Sequence, residues 1–366
     1  MYFVLTIILV ALLFSYLESI GKMKNGMKWA FILLGALLAF HYDYGSDYKE
    51  YYQVYLTVAQ SSLHDVLNGS TMAYGETGWH LLNWAFSRIS VKCGFFLMVA
   101  VIAVLQNVFC YHFIKREVPQ AYWAFAVFVY VFDTSLYLLS FSMMRQSFVV
   151  FTFMAIWPLI RDRKWLPSLV FLVGCTFIHK SSLILLPFAF WGFVPVKNGK
   201  MIGLFYAVLF IALFVSKDLL NNIYQNMLMV EQFEEYSTIY EADVVERTFS
   251  IGRLLSYVPF VAIILYLITK KKTDYTSRRL VALAGIGTLV TPFSFIVPLL
   301  GRVGIYFDVY SIVALPLAFG SIKQPYRNLF FAFYYVVAIY GMYQFFEPSS
   351  VYYAAYSTYH TFFSEL

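Results

Sequence analysis

Apolar stretches of about 14 to 20 residues recur along the whole chain, close to the roughly 20 residues that an α-helix needs to cross a lipid bilayer. Only 13% of the residues are charged and 61% are hydrophobic, which is too little charge to cover the surface of a soluble protein of this length. Lipid removes that difficulty, because apolar side chains face an apolar solvent and each helix satisfies its own backbone. The sequence therefore predicts an all-α integral membrane protein folded as a polytopic helical bundle.

We place about twelve transmembrane helices in a single polytopic membrane domain that covers residues 1–366. The first apolar stretch has its lysines after it, whereas a cleavable signal peptide carries its basic residues first. We therefore interpret it as a transmembrane helix. The predicted spans are 2–20, 28–42, 94–113, 120–138, 141–160, 165–178, 182–195, 201–216, 250–269, 279–298, 303–321 and 328–346.

The basic residues are distributed unevenly between the two sides of this predicted topology. Segments assigned to the cytoplasmic side carry 17 of the 26 lysines and arginines, but only four of the 20 acidic residues. Each of these segments is basic, as the positive-inside rule requires. The acidic loops therefore face the extracytoplasmic side. The basic residues assigned inside are Lys22, Lys24, Lys28, Lys115, Arg116, Arg161, Arg163, Lys164, Lys197, Lys200, Lys270, Lys271, Lys272, Arg278, Arg279, Lys323 and Arg327.

Two extracytoplasmic loops, at about 43–92 and 217–249, are too long to be simple turns. Aromatic and apolar residues run through both loops, so we expect helices that lie at the membrane interface rather than disorder. One segment, 78–88, is amphipathic and too short to cross the bilayer. It is predicted to lie along the outer leaflet.

Several cations lie near the outer ends of apolar spans, where the positive-inside bias opposes them. Placing an ionisable residue there costs on the order of 2–3 kcal/mol of insertion free energy unless its side chain reaches the headgroups or pairs with an opposite charge. Each of these cations therefore calls for a specific explanation. Gly301 and Gly304 flank one of these cations and allow a backbone or a ligand to come close. The cations are Arg145, His179, Lys180, Arg253 and Arg302.

Arginines that converge at one depth would form a strong diphosphate site, because the planar guanidinium presents a fork of donors to phosphate oxygens. Helix N-termini at the same level would add a favourable dipole. We therefore interpret Arg145, Arg253 and Arg302 as candidate ligands of a diphosphate. The alternative is that each arginine snorkels to lipid headgroups or pairs with an acid such as Asp133 or Asp308.

The candidate proton acceptors are Asp43, Asp47, Glu76 and His179. On a helix, Asp43 and Asp47 would share one face and could hold Mg²⁺, although two carboxylates at this spacing are a weak signal. His179 could act as a base or donate to phosphate. A solvated acidic loop is the alternative for the carboxylates, and a satisfied polar contact at a turn is the alternative for the histidine.

Other kinds of chemistry have little support in the sequence. The three cysteines are scattered without CxxC spacing, which predicts neither a disulfide framework nor a zinc site. No nucleotide-binding or soluble-hydrolase motif occurs in a supporting context. The net charge of +6 is not arranged as a basic stripe, so no nucleic-acid partner is expected.

Short motifs follow one another over most of the chain. Each is brief, but in this order they resemble the EpsG family of bacterial Wzy-type polysaccharide polymerases. The motifs are Asp43 with Asp47-Tyr48 and Tyr51, then Tyr74-Gly75-Glu76-Thr77-Gly78-Trp79, Arg145-Gln146-Ser147, His179-Lys180-Ser181-Ser182-Leu183, and Arg302 with Tyr306-Phe307.

The resemblance implies a membrane glycosyltransferase at the extracytoplasmic face of the bacterial cytoplasmic (inner) membrane. It would polymerise undecaprenyl-diphosphate-linked repeat units into capsule, exopolysaccharide or O-antigen, with the lipid diphosphate as leaving group and without nucleotide sugar, cofactor or essential metal. Its expected partners are the lipid-linked glycan, the bilayer, and a chain-length regulator or other polysaccharide-assembly proteins. The first choice of proton acceptor is Glu76, with Asp47 or His179 as the alternatives, and the diphosphate and glycan would be bound by Arg145, Arg302, Lys180, Asp43 and Tyr306. Arg253 joins this set by its position in the chain and not through a family motif.

Two other functions remain open at this point. A ligase that moves finished polysaccharide from the same lipid donor to another acceptor would need nearly the same site. A flippase or transporter of lipid-linked glycans is the other alternative. Transporters tend to show internal repeats and charges at the membrane midplane, and neither is visible in this sequence.

The predicted topology can be tested by labelling single cysteines in intact cells, in a background without the three native cysteines. Cysteines that replace Asn198 and Thr273 should be shielded from a membrane-impermeant thiol reagent, whereas one that replaces Ser237 should be labelled. Labelling at position 273 from outside would reverse the orientation and move the candidate site to the cytoplasmic side.

Overall fold

The computed structural model describes residues 1–71, 75–228, 255, 257–270, 274–295 and 297–364. About 78% of the chain is helical, and the sheet found among the described residues is a single pair of strands. This confirms the predicted all-α class. The chain divides into two compact units: a first unit of Met1–Val194 with Ala338–Leu366, and a second unit of Pro195–Val337.

The elements follow in chain order. Residues 1–194 form α1 (Tyr2–Ser19), α2 (Gly26–Ala39), β1 (His41–Tyr42), α3 (Tyr48–Gln60), α4 (Leu63–Asn68), α5 (Thr77–Ile89), α6 (Gly94–Glu117), α7 (Trp123–Phe132), α8 (Met144–Ala155), α9 (Trp157–Arg161) and α10 (Trp165–Thr176), with 3₁₀ segments at Gln120–Tyr122, Leu138–Phe141 and Lys180–Phe193. The second unit contains α11 (Gly199–Val215), α12 (Lys217–Leu228), α13 (Val258–Thr269), α14 (Tyr275–Val290), a 3₁₀ segment at Thr291–Phe295, α15 (Pro298–Asp308), α16 (Ser311–Gly320) and most of α17 (Tyr326–Phe345). The chain ends with α18 (Tyr353–Tyr356), β2 (His360–Thr361) and a 3₁₀ turn at Phe362–Ser364.

Two of the described helices, α1 and α6, are long and apolar enough to cross a bilayer. Helices α15 and α16 would make a third span if taken together, although they are bent by 64° at the break between them. The other apolar helices are 10–17 residues long. The structure therefore supports a membrane protein, while the count of about twelve spans stays a prediction.

The predicted span 141–160 is divided into two helices. Helix α8 ends at Ala155 and α9 begins at Trp157, with Pro158 in its first turn. Proline has no N–H to donate and is tolerated where the first turn of a helix leaves N–H groups unpaired. The break therefore follows from one residue inside an otherwise apolar stretch.

The predicted span 182–195 forms a 3₁₀ helix, Lys180–Phe193, instead of an α-helix. Pro187 lies inside it. A proline in the interior of an α-helix removes a backbone donor and clashes with the preceding turn, which disfavours α-helical winding at this point.

One end of the first unit is held together by Glu18, near the end of α1. Its carboxylate accepts from Lys115 Nζ at 2.8 Å and from the backbone N–H of Met27 at 2.6 Å. At the same end, Arg161 Nη1 lies 3.7 Å from a carboxylate oxygen of Glu117. The sequence assigns all these residues to the cytoplasmic side, and within this unit the structure places them at one end, which we call the basic end.

The other end of the first unit is closed by the C-terminal segment. Strands β1 and β2 pair antiparallel, with His41 opposite Thr361. The N–H of Phe362 donates to Phe40 O at 3.1 Å, and the Phe362 ring stacks on Phe96 at 5.0 Å between centroids. The last residues of the chain therefore pack over the ends of α2 and α6 that lie away from the basic end.

The first long loop is helical, as expected. It contains α3, α4 and α5, and α5 (Thr77–Ile89) covers the amphipathic segment 78–88. The buried face of α5 carries Trp79, His80, Asn83 and Ser87. The second long loop begins with α12, and its residues from 229 onward lie outside the described residues.

Candidate active site

The start of α5 lies directly against the turn that follows α10. The N–H of Trp79 donates to Phe177 O at 3.2 Å. A Cβ on Gly78 would stand 2.6 Å from that same oxygen, so only glycine permits this approach. Gly75, with φ of +136°, turns the chain into the helix. These contacts place Glu76 beside the next two residues of the turn, His179 and Lys180.

Glu76 precedes the first turn of α5, and its carboxylate contacts two other segments of the chain. Arg145 Nη1 donates to Oε2 at 2.5 Å, and the backbone N–H of Lys180 donates to Oε1 at 2.8 Å. The Nδ1 atom of His179 lies 3.6 Å from Oε1. The side chains of Glu76, Arg145 and His179 are 19%, 13% and 17% exposed, so the cluster is largely shielded by the protein.

This arrangement fixes the charge of Glu76. Partial burial acts to raise the pKa of its carboxyl group, but the contacts with His179, the Lys180 N–H and Arg145 outweigh burial and lower the pKa from 4.5 to about 2. Glu76 is therefore ionised at neutral pH. A carboxylate with so low a pKa is a weak proton acceptor, so Glu76 is better suited to hold cations than to remove a proton.

Arg145 also faces an aromatic wall. Its guanidinium carbon lies 5.6 Å from the ring centroid of Tyr51, within the distance at which a cation is attracted to a ring face. The Tyr51 ring meets Trp79 edge to face at 5.6 Å. Tyr51 of α3 therefore contacts the guanidinium, and Trp79 of α5 packs against Tyr51.

Asp47 is attached to the segment just before Arg145. Its backbone N–H donates to Ser142 Oγ at 3.2 Å, and Ser46 Oγ lies 2.7 Å from the same hydroxyl. The Asp47 carboxylate accepts from Ser46 at 2.9 Å and forms no ion pair with any residue that the structure describes. Asp47 therefore belongs to the same neighbourhood as Arg145 but differs from Glu76 in having no cation bound to it.

Asp43 does not join Asp47 on a helix face. It lies before α3 in a left-handed conformation, with φ of +49°, and forms an ion pair with Lys49 at 2.9 Å. The expected pairing of the two carboxylates on one face is therefore wrong, because α3 begins only after Asp47. Within the described residues, no three His, Cys, Asp or Glu side chains are grouped to hold a metal ion.

The remaining candidates belong to the second unit or lie outside the described residues. Arg302 is on α15, and Tyr306, one turn further on, is fully buried. A Cβ on Gly304 would collide with Thr291 Oγ1, so this glycine serves close packing between α15 and the preceding 3₁₀ segment. Arg253 lies outside the described residues. The convergence of Arg302 and Arg253 with Arg145 stays a prediction.

Comparison with known proteins identifies the family. The family model for EpsG matches residues 27–361, nearly the whole chain. The chain belongs to the EpsG family. EpsG-type proteins are Wzy-like polymerases, so the family suggests a function of the polysaccharide-polymerase type. No curated protein and no solved structure matches the chain.

In this EpsG-family chain, the structure brings together four residues that sequence motifs singled out: Asp47, Glu76, Arg145 and His179. Sequence reasoning missed the part played by Ser142, which links the Asp47 segment to the start of α8. It also missed the contact of Tyr51 with Arg145. The position of Tyr51, four residues after Asp47, was a usable signal, because that spacing is one helical turn.

Substituting Gly78 with alanine tests whether the docked start of α5 organises the site. The added Cβ would meet Phe177 O and Phe177 Cβ at 2.6 and 2.8 Å. The start of α5 must therefore shift away from this turn, and we expect the contact between Glu76 and Lys180 to weaken. We expect lower activity and a lower melting temperature in detergent. Gly174→Ala on α10 is the matched control, because nothing lies within 4 Å of its Cβ position, and it should leave both unchanged. Equal behaviour of the two variants would contradict the site as described.

Proposed function

We propose that this EpsG-family protein polymerises oligosaccharide repeat units carried on undecaprenyl diphosphate, at the extracytoplasmic face of the bacterial cytoplasmic membrane. The observation that supports this most directly is the held guanidinium of Arg145, which is 13% exposed and lies beside Glu76, His179 and Lys180. The sequence assigns this cluster to the outer ends of the spans, which is the level of a lipid diphosphate in the outer leaflet.

The transfer forms one bond and breaks another at the same carbon. A hydroxyl oxygen of the incoming repeat unit bonds to the anomeric carbon of the growing chain, and the bond from that carbon to the lipid diphosphate breaks. The bonding electron pair leaves with the diphosphate, and the hydroxyl proton goes to a base. Negative charge therefore develops on the diphosphate oxygens, where a fixed guanidinium stabilises the transition state most.

Arg145 is suited to this task because its surroundings fix its orientation. Glu76 holds Nη1 on one side and the Tyr51 ring lies on another. Lys180 donates its backbone N–H to Glu76, and its side chain is exposed beside the cluster. A guanidinium that is already held in one orientation can bind phosphate oxygens without losing further conformational freedom.

The proposed base is Asp47 rather than Glu76. The Glu76 carboxylate is bound to the Arg145 guanidinium, and its pKa of about 2 makes it a poor proton acceptor. Among the residues that the structure describes, the Asp47 carboxylate accepts from one neutral hydroxyl, that of Ser46. The backbone N–H of Asp47 donates to Ser142, three residues before Arg145. In this assignment Glu76 and His179 are positioning residues that keep Arg145 in place.

The other predicted residues complete the proposal. Arg253 and Arg302 would join Arg145 on the diphosphate, and the second long loop, about 217–249, would guide the glycan. Asp43, whose side chain is 34% exposed before α3, would contact the sugars. A chain-length regulator or other assembly proteins would bind the same face of the membrane.

The lipid-linked glycans of cells that carry Arg145→Lys test this function. In a strain that lacks the gene, the wild-type protein should restore long polymer, whereas the variant should leave single lipid-linked repeat units. Lysine keeps the charge but loses the fork, and we expect polymerisation to fall by about 10²-fold.

Arg88→Lys is the matched control, because Arg88 lies on the same loop, at the end of α5, and donates to a backbone oxygen there. It should polymerise normally. Accumulation of long chains that remain on the lipid would indicate a ligase instead, and repeat units held on the cytoplasmic side would indicate a flippase. Either result would overturn the proposal.

Asp47→Asn and Glu76→Gln separate the base from the positioning residue. A missing general base costs typically 10²–10⁴-fold, and we expect this for Asp47→Asn. Loss of a charge-assisted hydrogen bond is worth about 1.5–3 kcal/mol, so Glu76→Gln should lower the rate by roughly 10- to 100-fold. Glu50→Gln, an exposed position in the first turn of α3, should have no effect.

The pH dependence gives a second readout. Because the folded-state pKa of Glu76 is below its ordinary value of 4.5, its contacts stabilise the folded protein fully above about pH 4.5 and are lost as the pH falls toward 2. Glu76→Gln should therefore lower activity without changing the shape of the pH profile of activity between pH 5 and 8.

If Asp47→Asn is active while Glu76→Gln is inactive, then Glu76 and not Asp47 is the base.

A further inference from the structure

Helices α2 and α6 enclose a groove within the first unit. The cavity has a volume of about 670 Å³ and extends along α2 from Lys28 to Phe40. At 1.5 Å per residue, that distance is about 18 Å. The hydrocarbon core of a bilayer is about 30 Å thick, so the groove is about as deep as one leaflet.

The groove exists because small residues face each other across the two helices. Gly35, Ala36 and Ala39 line it from α2, and Ala100 lines it from α6. The Cβ position of Gly35 lies 3.6 Å from the side chain of Asn107, which forms part of the floor. A larger side chain at position 35 would therefore take up space in the groove.

The two ends of the groove differ in charge. Lys28 and His112 line one end, and Ala39 and Phe40 line the other. Lys28 is near the start of α2, and His112 lies one turn before Lys115, so the cationic end of the groove is at the basic end of the unit. A ligand with an anionic head and an apolar tail fits this polarity in one direction only.

Lys28 and Lys115 differ in the partners of their side chains. Lys115 is ion-paired with Glu18 at 2.8 Å and lies 3.7 Å above the Trp123 ring. Lys28 is exposed and forms no ion pair with any residue that the structure describes. Its charge is therefore available to a group outside the protein.

We propose that this groove binds one acyl chain of an anionic phospholipid from the leaflet at the basic end, with the headgroup phosphate at Lys28 and His112. Apolar contact alone gives no preference over bulk lipid, because lipid tails are as apolar as the groove. Selection rests on the attraction of the headgroup to the two basic side chains. A polyprenyl diphosphate entering from the opposite leaflet would place its charges beside Ala39 and Phe40, where the lining carries no cation.

The purified full-length protein in detergent can be titrated with phosphatidylglycerol and, separately, with phosphatidylcholine, and the bound lipids counted by native mass spectrometry. We expect one phosphatidylglycerol to be retained in preference. Lys28→Gln should weaken that binding by about fivefold, the effect of removing one basic residue near a charged headgroup. Gly35→Leu should abolish retention of the lipid.

Matched controls exclude general effects of charge and bulk. Lys24→Gln removes a neighbouring basic charge that does not line the groove, and Gly174→Leu enlarges an exposed glycine of α10 that has nothing within 4 Å. Both should retain the lipid. If Gly35→Leu does not fold, the comparison of phosphatidylglycerol retention between Lys28→Gln and Lys24→Gln tests the proposal.

Several results would overturn the proposal. They are equal retention of the two phospholipids, equal loss in Lys28→Gln and Lys24→Gln, and displacement of phosphatidylglycerol by polyprenyl phosphate that does not depend on Lys28. The last result would assign the groove to the carrier lipid. Because lipid retention is measured without substrate, the outcome is independent of whether the protein is a polymerase.

Discussion

The carboxylate of Glu76 is the contact on which the candidate site depends. It accepts from Arg145 of α8 and from the backbone N–H of Lys180, and it lies 3.6 Å from the imidazole of His179. These contacts join three segments that are far apart in the sequence. Near the membrane a lone guanidinium would be costly to shield from water. The carboxylate offsets that cost and also fixes the direction in which the cation points. One acid thus determines both the stability and the geometry of the cluster.

The packing around this contact explains why the first long loop is helical. Helix α3 contributes Tyr51 and α5 contributes Trp79 to the wall beside Arg145. The same two helices belong to a buried aromatic and aliphatic cluster with the start of α6. The loop is therefore part of the core of the first unit, and a substrate would meet a preformed surface instead of a flexible cover.

Much of the fold could be predicted, because apolar runs bounded by charges define helices such as α1, α2 and α6 within a few residues. The failures have local causes. Pro158 divides one predicted span, and α3 starts after Asp47, which separates that residue from Asp43. For the site, the motifs identified the residues but not their roles. The bond from Arg145 to Glu76 joins positions 69 residues apart, and no periodic pattern encodes such a pairing.

The 3₁₀ winding of Lys180–Phe193 changes how far this part of the chain can reach. A 3₁₀ helix rises about 2.0 Å per residue, so these 14 residues extend over about 28 Å. The same residues in an α-helix would extend over only about 21 Å, well short of the ~30 Å of hydrocarbon in a bilayer. A short apolar segment can therefore run from the turn at Glu76 to Gly192, whose carbonyl accepts from Arg163 Nε at 3.3 Å. The winding of this predicted span, and not only its number of residues, therefore sets how much of the bilayer it could cross.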